Sequence, residues 1–307
     1  MGRLKIVYPV CCGMDVHRDF LIACIAATNA QGVTEYQSRR FSTYTGSLRE
    51  LRDWLLANDC KDVCMESTGK YWFPVHNILE ESCHVVVSHP KFVKAIKGKK
   101  TDKKDAQWIA DLFKHDLVRG SFIPPKDIRQ LRDLCRYWVK LSSYMTGEKN
   151  RAQNCLTVSN FKLDDVFSNV FGKSASAITT QLLEHPGEQF DVAPFVDGRC
   201  KTPIAQIQEA VDGIFTYEQA EKLKIIRGHM DSLERHKAEL ESLILEIAQN
   251  YLPQIELLLT VPGIHDAFTA IRILAEIGAD MTVFDTSKHL CSCLLYTSPS
   301  PRDTERS

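Results

Sequence analysis

Residues 10 to 115 predict an α/β unit built on a mixed sheet, and the remainder of the 307-residue chain predicts helices. Two observations carry this. Apolar runs of strand length alternate with helix-period segments as far as His115. Beyond Pro124-Pro125 apolar residues recur at steps of three and four, and strand signals stop. With 44% hydrophobic residues the chain can bury a sizeable core, as one large domain or two ordinary ones.

Val10–Val16 and Phe20–Thr28 are apolar strands on either side of the polar turn His17-Arg18-Asp19, which is a hairpin signal. Pro9 leads into the first strand, where a missing backbone donor is tolerated. Thr34–Ser42 is a third, more polar strand, so a meander opens the fold. From Gly46 to Asn58, Leu48, Leu51, Trp54 and Leu55 recur at helical spacing. Asp62–Ser67 reads as a short strand, Trp72–Glu81 as a helix and His84–Ser88 as a fifth strand. Asp102–His115 closes the unit as a helix with Ile109, Leu112 and Phe113 turned inward. Three antiparallel strands followed by strand–helix alternation is the order of the ribonuclease-H-like α/β fold, a mixed sheet with helices on its faces. The predicted boundaries of this domain are residues 1–120.

Residues 121–252 predict a helical coiled-coil region. Leu131, Leu134, Trp138, Leu141 and Met145 form one apolar stripe. Leu223, Ile226, Met230, Leu233, Leu240, Ile244, Ile247 and Tyr251 form another, with Lys237 as its one polar interruption. Such heptads indicate long helices wound as a coiled coil, and two ordinary amphipathic helices in a bundle fit the same spacing. Residues 157–216 carry shorter helices punctuated by Pro186, Pro194 and Pro203. Residues 253–293 predict a further helical unit in which Thr260-Val261-Pro262-Gly263-Ile264 joins two helices, the second stopped at Gly278: a helix-hairpin-helix pattern. Backbone N–H groups around Gly263 and the next helix N-terminus can grip a phosphate without reading sequence, although a turn that only packs has the same form. Residues 294–307 change abruptly to Ser, Pro and charge, and read as an adaptor- or vector-like tail outside the fold.

The net charge is −1 and the pI is near 6.8, so no global field draws nucleic acid to the chain, and binding has to come from local clusters. No apolar run reaches the roughly 18 residues of a membrane span. Met1-Gly2-Arg3-Leu4-Lys5 is unlike a signal peptide, so a cytoplasmic protein without a membrane partner is expected. Eleven cysteines are scattered through apolar segments, and the pairs Cys60/Cys64 and Cys291/Cys293 lack zinc-site spacing. Free cysteine in such places behaves as a small hydrophobe.

Four carboxylates stand apart from this pattern. Asp15 lies in the apolar strand Val10–Val16, Glu66 ends the run Val63-Cys64-Met65, and Asp102 and Asp105 are three apart at the start of a helix. A carboxylate at the tip of a buried strand is costly unless its desolvation is offset, and a divalent cation is a common compensator. Helical spacing turns Asp102 and Asp105 the same way. Neighbouring central strands would bring Asp15 and Glu66 to meet them. Three of the acids also have an ordinary structural role open to them: Asp102 as a helix N-cap, Asp105 as a first-turn acid favoured by the macrodipole, Glu66 as a turn residue. Only Asp15 has none. Two Mg²⁺ or Mn²⁺ ions on such a tetrad form the usual apparatus of phosphodiester chemistry.

Lys91, Lys94, Lys97, Lys99, Lys100, Lys103 and Lys104 surround the Asp pair. A lysine run is usually a solvated face. Interleaved with metal ligands, it also suits a phosphate backbone led to the metals, which would make binding strongly salt-dependent.

Gly13-Met14-Asp15-Val16, Met65-Glu66-Ser67-Thr68-Gly69, Lys99-Lys100-Thr101-Asp102-Lys103-Lys104-Asp105-Ala106, and the distal Thr260–Ile264 and Leu274–Gly278 segments resemble the DEDD transposases of bacterial insertion sequences. The N-terminal domain of that family resembles RuvC-type junction resolvases. The resemblance runs from about residue 8 to residue 293. It implies that Asp15, Glu66, Asp102 and Asp105 are the catalytic, Mg²⁺- or Mn²⁺-binding tetrad. It also implies DNA partners (element ends and target), a structured non-coding RNA that pairs with both, and a homo-oligomer. Lys97, Lys99, Lys100, Lys103, Lys104 and Gly263 are the expected nucleic-acid contacts. The family places a serine nucleophile in a Gly- and Ser-containing segment after the hairpin motif. Ser292, Ser298 and Ser300 do not sit in that motif, so the sequence is expected to be C-terminally truncated and inactive in recombination. His17-Arg18 after the first Asp also departs from the family, which more often has a small residue and Lys there. A stand-alone RuvC-like resolvase or nuclease using water, and a non-catalytic nucleic-acid-binding protein with a vestigial tetrad, are the other functions open to this sequence.

Overall fold

The computed structural model describes residues 4–67, 69–90, 101–288 and 290–291, and divides into two compact units, 1–123 and 124–307. In the first, the strands β1 (Val10–Val16), β2 (Phe20–Thr28), β3 (Thr34–Ser42), β4 (Asp62–Glu66) and β5 (His84–Ser88) form one sheet in the order β3-β2-β1-β4-β5. β2 runs antiparallel to both β1 and β3, whereas β4 is parallel to β1 and β5 to β4. This is the mixed ribonuclease-H-like arrangement that the element order predicts, with β1 at its centre.

Strand alternation makes β1 buried on both sides. Cys12, Met14 and Val16 enter the larger core, where Leu48, Leu51 and Leu55 of α1 (Thr45–Ala57) and Trp72, Val75 and Leu79 of α2 (Trp72–Leu79) cover the sheet. Cys11 faces the opposite core with Cys64, Ile109, Ala110 and Phe113, the last three supplied by α3 (Asp102–Lys114). Each fully buried side chain of this size contributes about 1.5–3 kcal/mol. The cysteines fill space: Cys11, Cys12, Cys60 and Cys64 are unpaired and buried, and burial raises their thiol pKa values, to about 12 for Cys11 and Cys64.

Gly13 sets how closely α3 can lie on β1. A Cβ at that position would stand 2.3 Å from both the Ala106 carbonyl oxygen and the Ala110 nitrogen, so only glycine admits the helix backbone. Helix α3 begins at Thr101, whose side chain accepts a hydrogen bond from the Lys104 N–H at 3.4 Å. A buried Lys114 ends it, with Nζ donating to Asp111 at 2.8 Å and to Thr34 at 3.2 Å.

The second unit is helical among its described residues. Two long helices, α4 (Lys126–Val158) and α8 (Tyr217–Ala248), pair antiparallel: Cys135 shares a core with Ile244, and Leu141 and Met145 share one with Leu233. Helices α5 (Leu163–Val166), α6 (Lys173–Glu184) and α7 (Ile204–Ala210) close a further core around Leu156, Ile178, Ile207 and Leu223. Helix α4 runs well past the predicted stripe that stops at Met145, because its last turns bury the small Ala152 and Cys155 beside Leu156. Lys237, the interruption in the second stripe, has its Nζ 4.5 Å from the Trp138 ring centroid, and Trp138 donates to Glu241 at 2.8 Å. Tyr251 lies beyond α8, in a short 3₁₀ turn that leads into α9 (Leu252–Leu259), with Pro253 in the first turn where it is tolerated. Residues on both sides of position 252 share one core, since Ile255 and Leu274 of α9 and α10 (Ala267–Ile277) pack with Ile128, Leu131 and Ile244. Arg132 secures the end of α10 by donating to the Ala275 and Glu276 carbonyls at 2.9 and 3.0 Å.

Candidate metal centre

The carboxylates gather at the C-terminal end of the two central parallel strands. In the register of β1 with β4, Met14 pairs with Met65, and one step further sets Asp15 beside Glu66. Both residues alternate onto the α3 face, following Cys11 and Gly13 on β1 and Cys64 on β4. Asp102 and Asp105 occupy the first turn of α3, and because Thr101 caps the helix, Asp102 does not serve as the N-cap. The close approach that Gly13 permits therefore brings that turn down over the end of β1.

Asp15 has only 14% of its side chain exposed, while Asp102 is half exposed. Burial pushes the Asp15 carboxyl above the usual carboxylate range. His17 pulls it back, and the negative charges of Asp102, Asp105 and Glu66 push it up again. Asp102, Asp105 and Glu66 thus all act on Asp15. Among the described residues, one set places metal-ligating atoms within 4.8 Å of each other: Asp15, His17 and Asp102. Glu66 and Asp105 stand outside that tight set.

His17 was not among the residues singled out from sequence as ligands. A signal for it existed: Asp15-Val16-His17 spans the end of a strand, and residues two apart on a strand point to the same face. Its Nε2 lies 3.2 Å from Asp15 Oδ2 and 3.7 Å from Asp102 Oδ1.

Of the expected nucleic-acid contacts, Lys103 and Lys104 are exposed on the first turn of α3, beside the carboxylates. Lys91, Lys94, Lys97, Lys99 and Lys100 lie outside the described residues, as do Ser292, Ser298, Ser300 and the 294–307 tail. Gly263 is exposed with φ +97° in the turn between α9 and α10. The N-terminus of α10 is already served by Asp266, which accepts from the Thr269 N–H at 2.8 Å and its hydroxyl at 2.7 Å.

Residues 12–160 match the family model for DEDD transposases of the IS110 type, described as "Transposase". Over those residues the chain is similar to the DEDD transposases. The matched span contains all four carboxylates, His17 and Gly13, and leaves the Gly263 turn outside. No curated protein sequence matches the chain. Among solved structures, similarity is found to Thermus thermophilus RuvC, at 14% identity and a TM-score of 0.30, covering 36% of this chain and 99% of that one. The same protein in complex with Holliday junction substrate matches at 13% identity and a TM-score of 0.28, with the same coverage. Fowlpox virus resolvase with its substrate Holliday junction DNA matches at 14% identity and a TM-score of 0.23, covering 34% of this chain and 72% of that one. Among the described residues, no helix is long and apolar enough to cross a membrane.

Proposed function

We propose that the chain is of the DNA transposase type, in which strand cleavage and joining are metal-dependent and guided by a structured RNA, with Asp15, Glu66, Asp102 and Asp105 holding Mg²⁺ or Mn²⁺ and with no residue of this sequence assigned as the serine nucleophile that recombination needs. The observation that carries this reading is the placement of a largely buried Asp15 beside Glu66 at the end of the sheet, under the helix turn that carries Asp102 and Asp105. Such a set is unfavourable without positive charge and fits a divalent cation. When bound, the metal would neutralise phosphate charge and polarise the scissile phosphodiester.

The chain's own residues supply position. Gly13 lets α3 seat against β1, which fixes Asp102 and Asp105 relative to Asp15. The exposed Lys103 and Lys104 lie where an incoming phosphate backbone would reach the acids, and Lys97, Lys99 and Lys100 precede them in sequence. Lysine contacts of this kind hold DNA and RNA backbones without reading sequence. Gly263 is assigned a weaker backbone contact with phosphate, since Asp266 already occupies the adjoining helix end. Homo-oligomeric assembly and a cytoplasmic location complete the proposal.

The test is nicking of branched and linear DNA by the purified chain with Mg²⁺ or Mn²⁺, with and without the RNA of the source element. Metal-dependent nicking that is lost in Asp15→Asn and Asp102→Asn is the expected result. Nicking that persists in both variants removes these residues from the chemistry.

A further inference from the structure

Two carboxylate oxygens, from Asp15 and Asp102, flank His17 Nε2 at 3.2 and 3.7 Å. That nitrogen is shielded from solvent and forms no hydrogen bond among the described residues. The approach to Asp15 is therefore close without the alignment of an N–H···O bond. A buried polar atom left in this state is costly, and one that faces two carboxylates has an obvious partner in a shared cation. Placement of the ring is also built into the hairpin. The His17 N–H donates to the Phe20 carbonyl at 2.9 Å, and the imidazole lies against the Phe20 ring at 4.7 Å between centroids. Phe20 in turn carries the Arg40 guanidinium 4.0 Å from its centroid. The imidazole thus reaches the acids from the hairpin turn between β1 and β2.

We propose that His17 is a direct nitrogen ligand of the cation held by Asp15 and Asp102, and that it biases this site toward Mn²⁺ and other borderline transition ions over Mg²⁺. The inference rests on the metal-centre reading given above. Its chemistry is that of ligand softness: Mg²⁺ prefers oxygen donors and gives up its waters reluctantly, whereas imidazole suits transition ions. The Asp15, His17 and Asp102 ligand atoms, all within 4.8 Å of one another, already form a mixed oxygen and nitrogen set. An all-carboxylate centre is expected to show a weaker preference.

The experiment uses the full 307-residue chain. Mn²⁺ and Mg²⁺ are titrated separately by calorimetry, and bound Mn²⁺ is examined by pulsed electron paramagnetic resonance for nitrogen hyperfine coupling. The wild type is expected to show coupling from one imidazole. His17→Gln is expected to lose it, with Mn²⁺ affinity falling roughly tenfold or more, the scale on which even outer-shell partners act, and Mg²⁺ affinity falling less. His17→Asp restores an oxygen donor and is expected to shift the preference toward Mg²⁺, which keeps the test open if the Gln variant folds poorly. Mn²⁺ bound by the wild type without nitrogen coupling, or coupling that survives in His17→Gln, overturns the ligand assignment and leaves the carboxylate centre standing. Failure of the wild type to bind either ion overturns the centre and this inference together.

Discussion

Charge is handled differently in the two units. In the first, β1 is covered by α1 and α2 on one face and by α3 on the other, so a carboxylate on it is largely shielded from water. Asp15 sits at the strand's end, mostly buried, with its carboxyl held above the usual range. In the second, acids of similar burial each meet bases that are about half exposed. Arg136 grips Glu276 with two hydrogen bonds at 2.8 and 2.7 Å, and Glu148 accepts from Arg151 at 3.0 Å with His229 at the same distance. Pairs of that kind contribute at most about 1 kcal/mol when solvated. The first unit spends stability to gather acids at one point, and the second disperses its charges in pairs. Gathered acids that are each costly alone mark a site, whereas dispersed pairs mark a scaffold.

The largest way to break this contrast is through Gly13. Gly13→Ala forces a Cβ into the α3 backbone, and overpacking of that kind costs about 1–3 kcal/mol. Chemical denaturation should show the loss in the first unit, together with weaker metal stabilisation as Asp102 and Asp105 move away from Asp15. An unchanged midpoint would mean that α3 does not depend on that close approach.

A smaller effect is expected in the scaffold. Trp138→Phe removes the donor to Glu241 and the better face for Lys237, and should cost about 1 kcal/mol with no change in metal binding. Altered metal affinity in this variant would show that the two units do not divide structure and site as described.

The smallest effect sharpens the electrostatic side. The folded chain without metal holds the Asp15 proton more tightly than the unfolded chain, because the folded pKa is raised. Stability should therefore fall as pH rises from the ordinary carboxylate range through that raised value, and recover as pH is lowered again. Asp15→Asn should flatten this part of the stability profile and make the metal-free protein more stable at neutral pH, measured by thermal unfolding with a chelator present. A metal-free variant less stable than wild type at pH 7 would mean that Asp15 forms a net favourable contact.

Much of the first unit was legible because strand alternation and helix period leave direct marks: Val10–Val16 and Phe20–Thr28 form strands within the residues read from sequence. Asp15 was conspicuous as a charge in an apolar strand. His17 was less so, since in a hairpin turn a polar residue needs no explanation until the fold shows which face it joins. Gly13 was likewise silent, because its role depends on the backbone of a helix that begins at Asp102. In the second unit the period announced the long helices without their full length, as the final turns of α4 replace large apolar residues with Ala152 and Cys155. The antiparallel pairing is a tertiary fact that heptads alone leave open.

The most direct measurement is the rise in melting temperature of the full chain with Mn²⁺ or Mg²⁺, compared among wild type, Asp15→Asn, Glu66→Gln, Asp102→Asn and Asp105→Asn. A cation that binds only the folded state at 100 times its Kd stabilises by about 2.7 kcal/mol, enough for a rise of several degrees. The account predicts that rise in wild type, its loss in Asp15→Asn and Asp102→Asn, and its reduction in Glu66→Gln and Asp105→Asn. The same rise in wild type and all four variants would contradict the claim that these carboxylates form the metal centre.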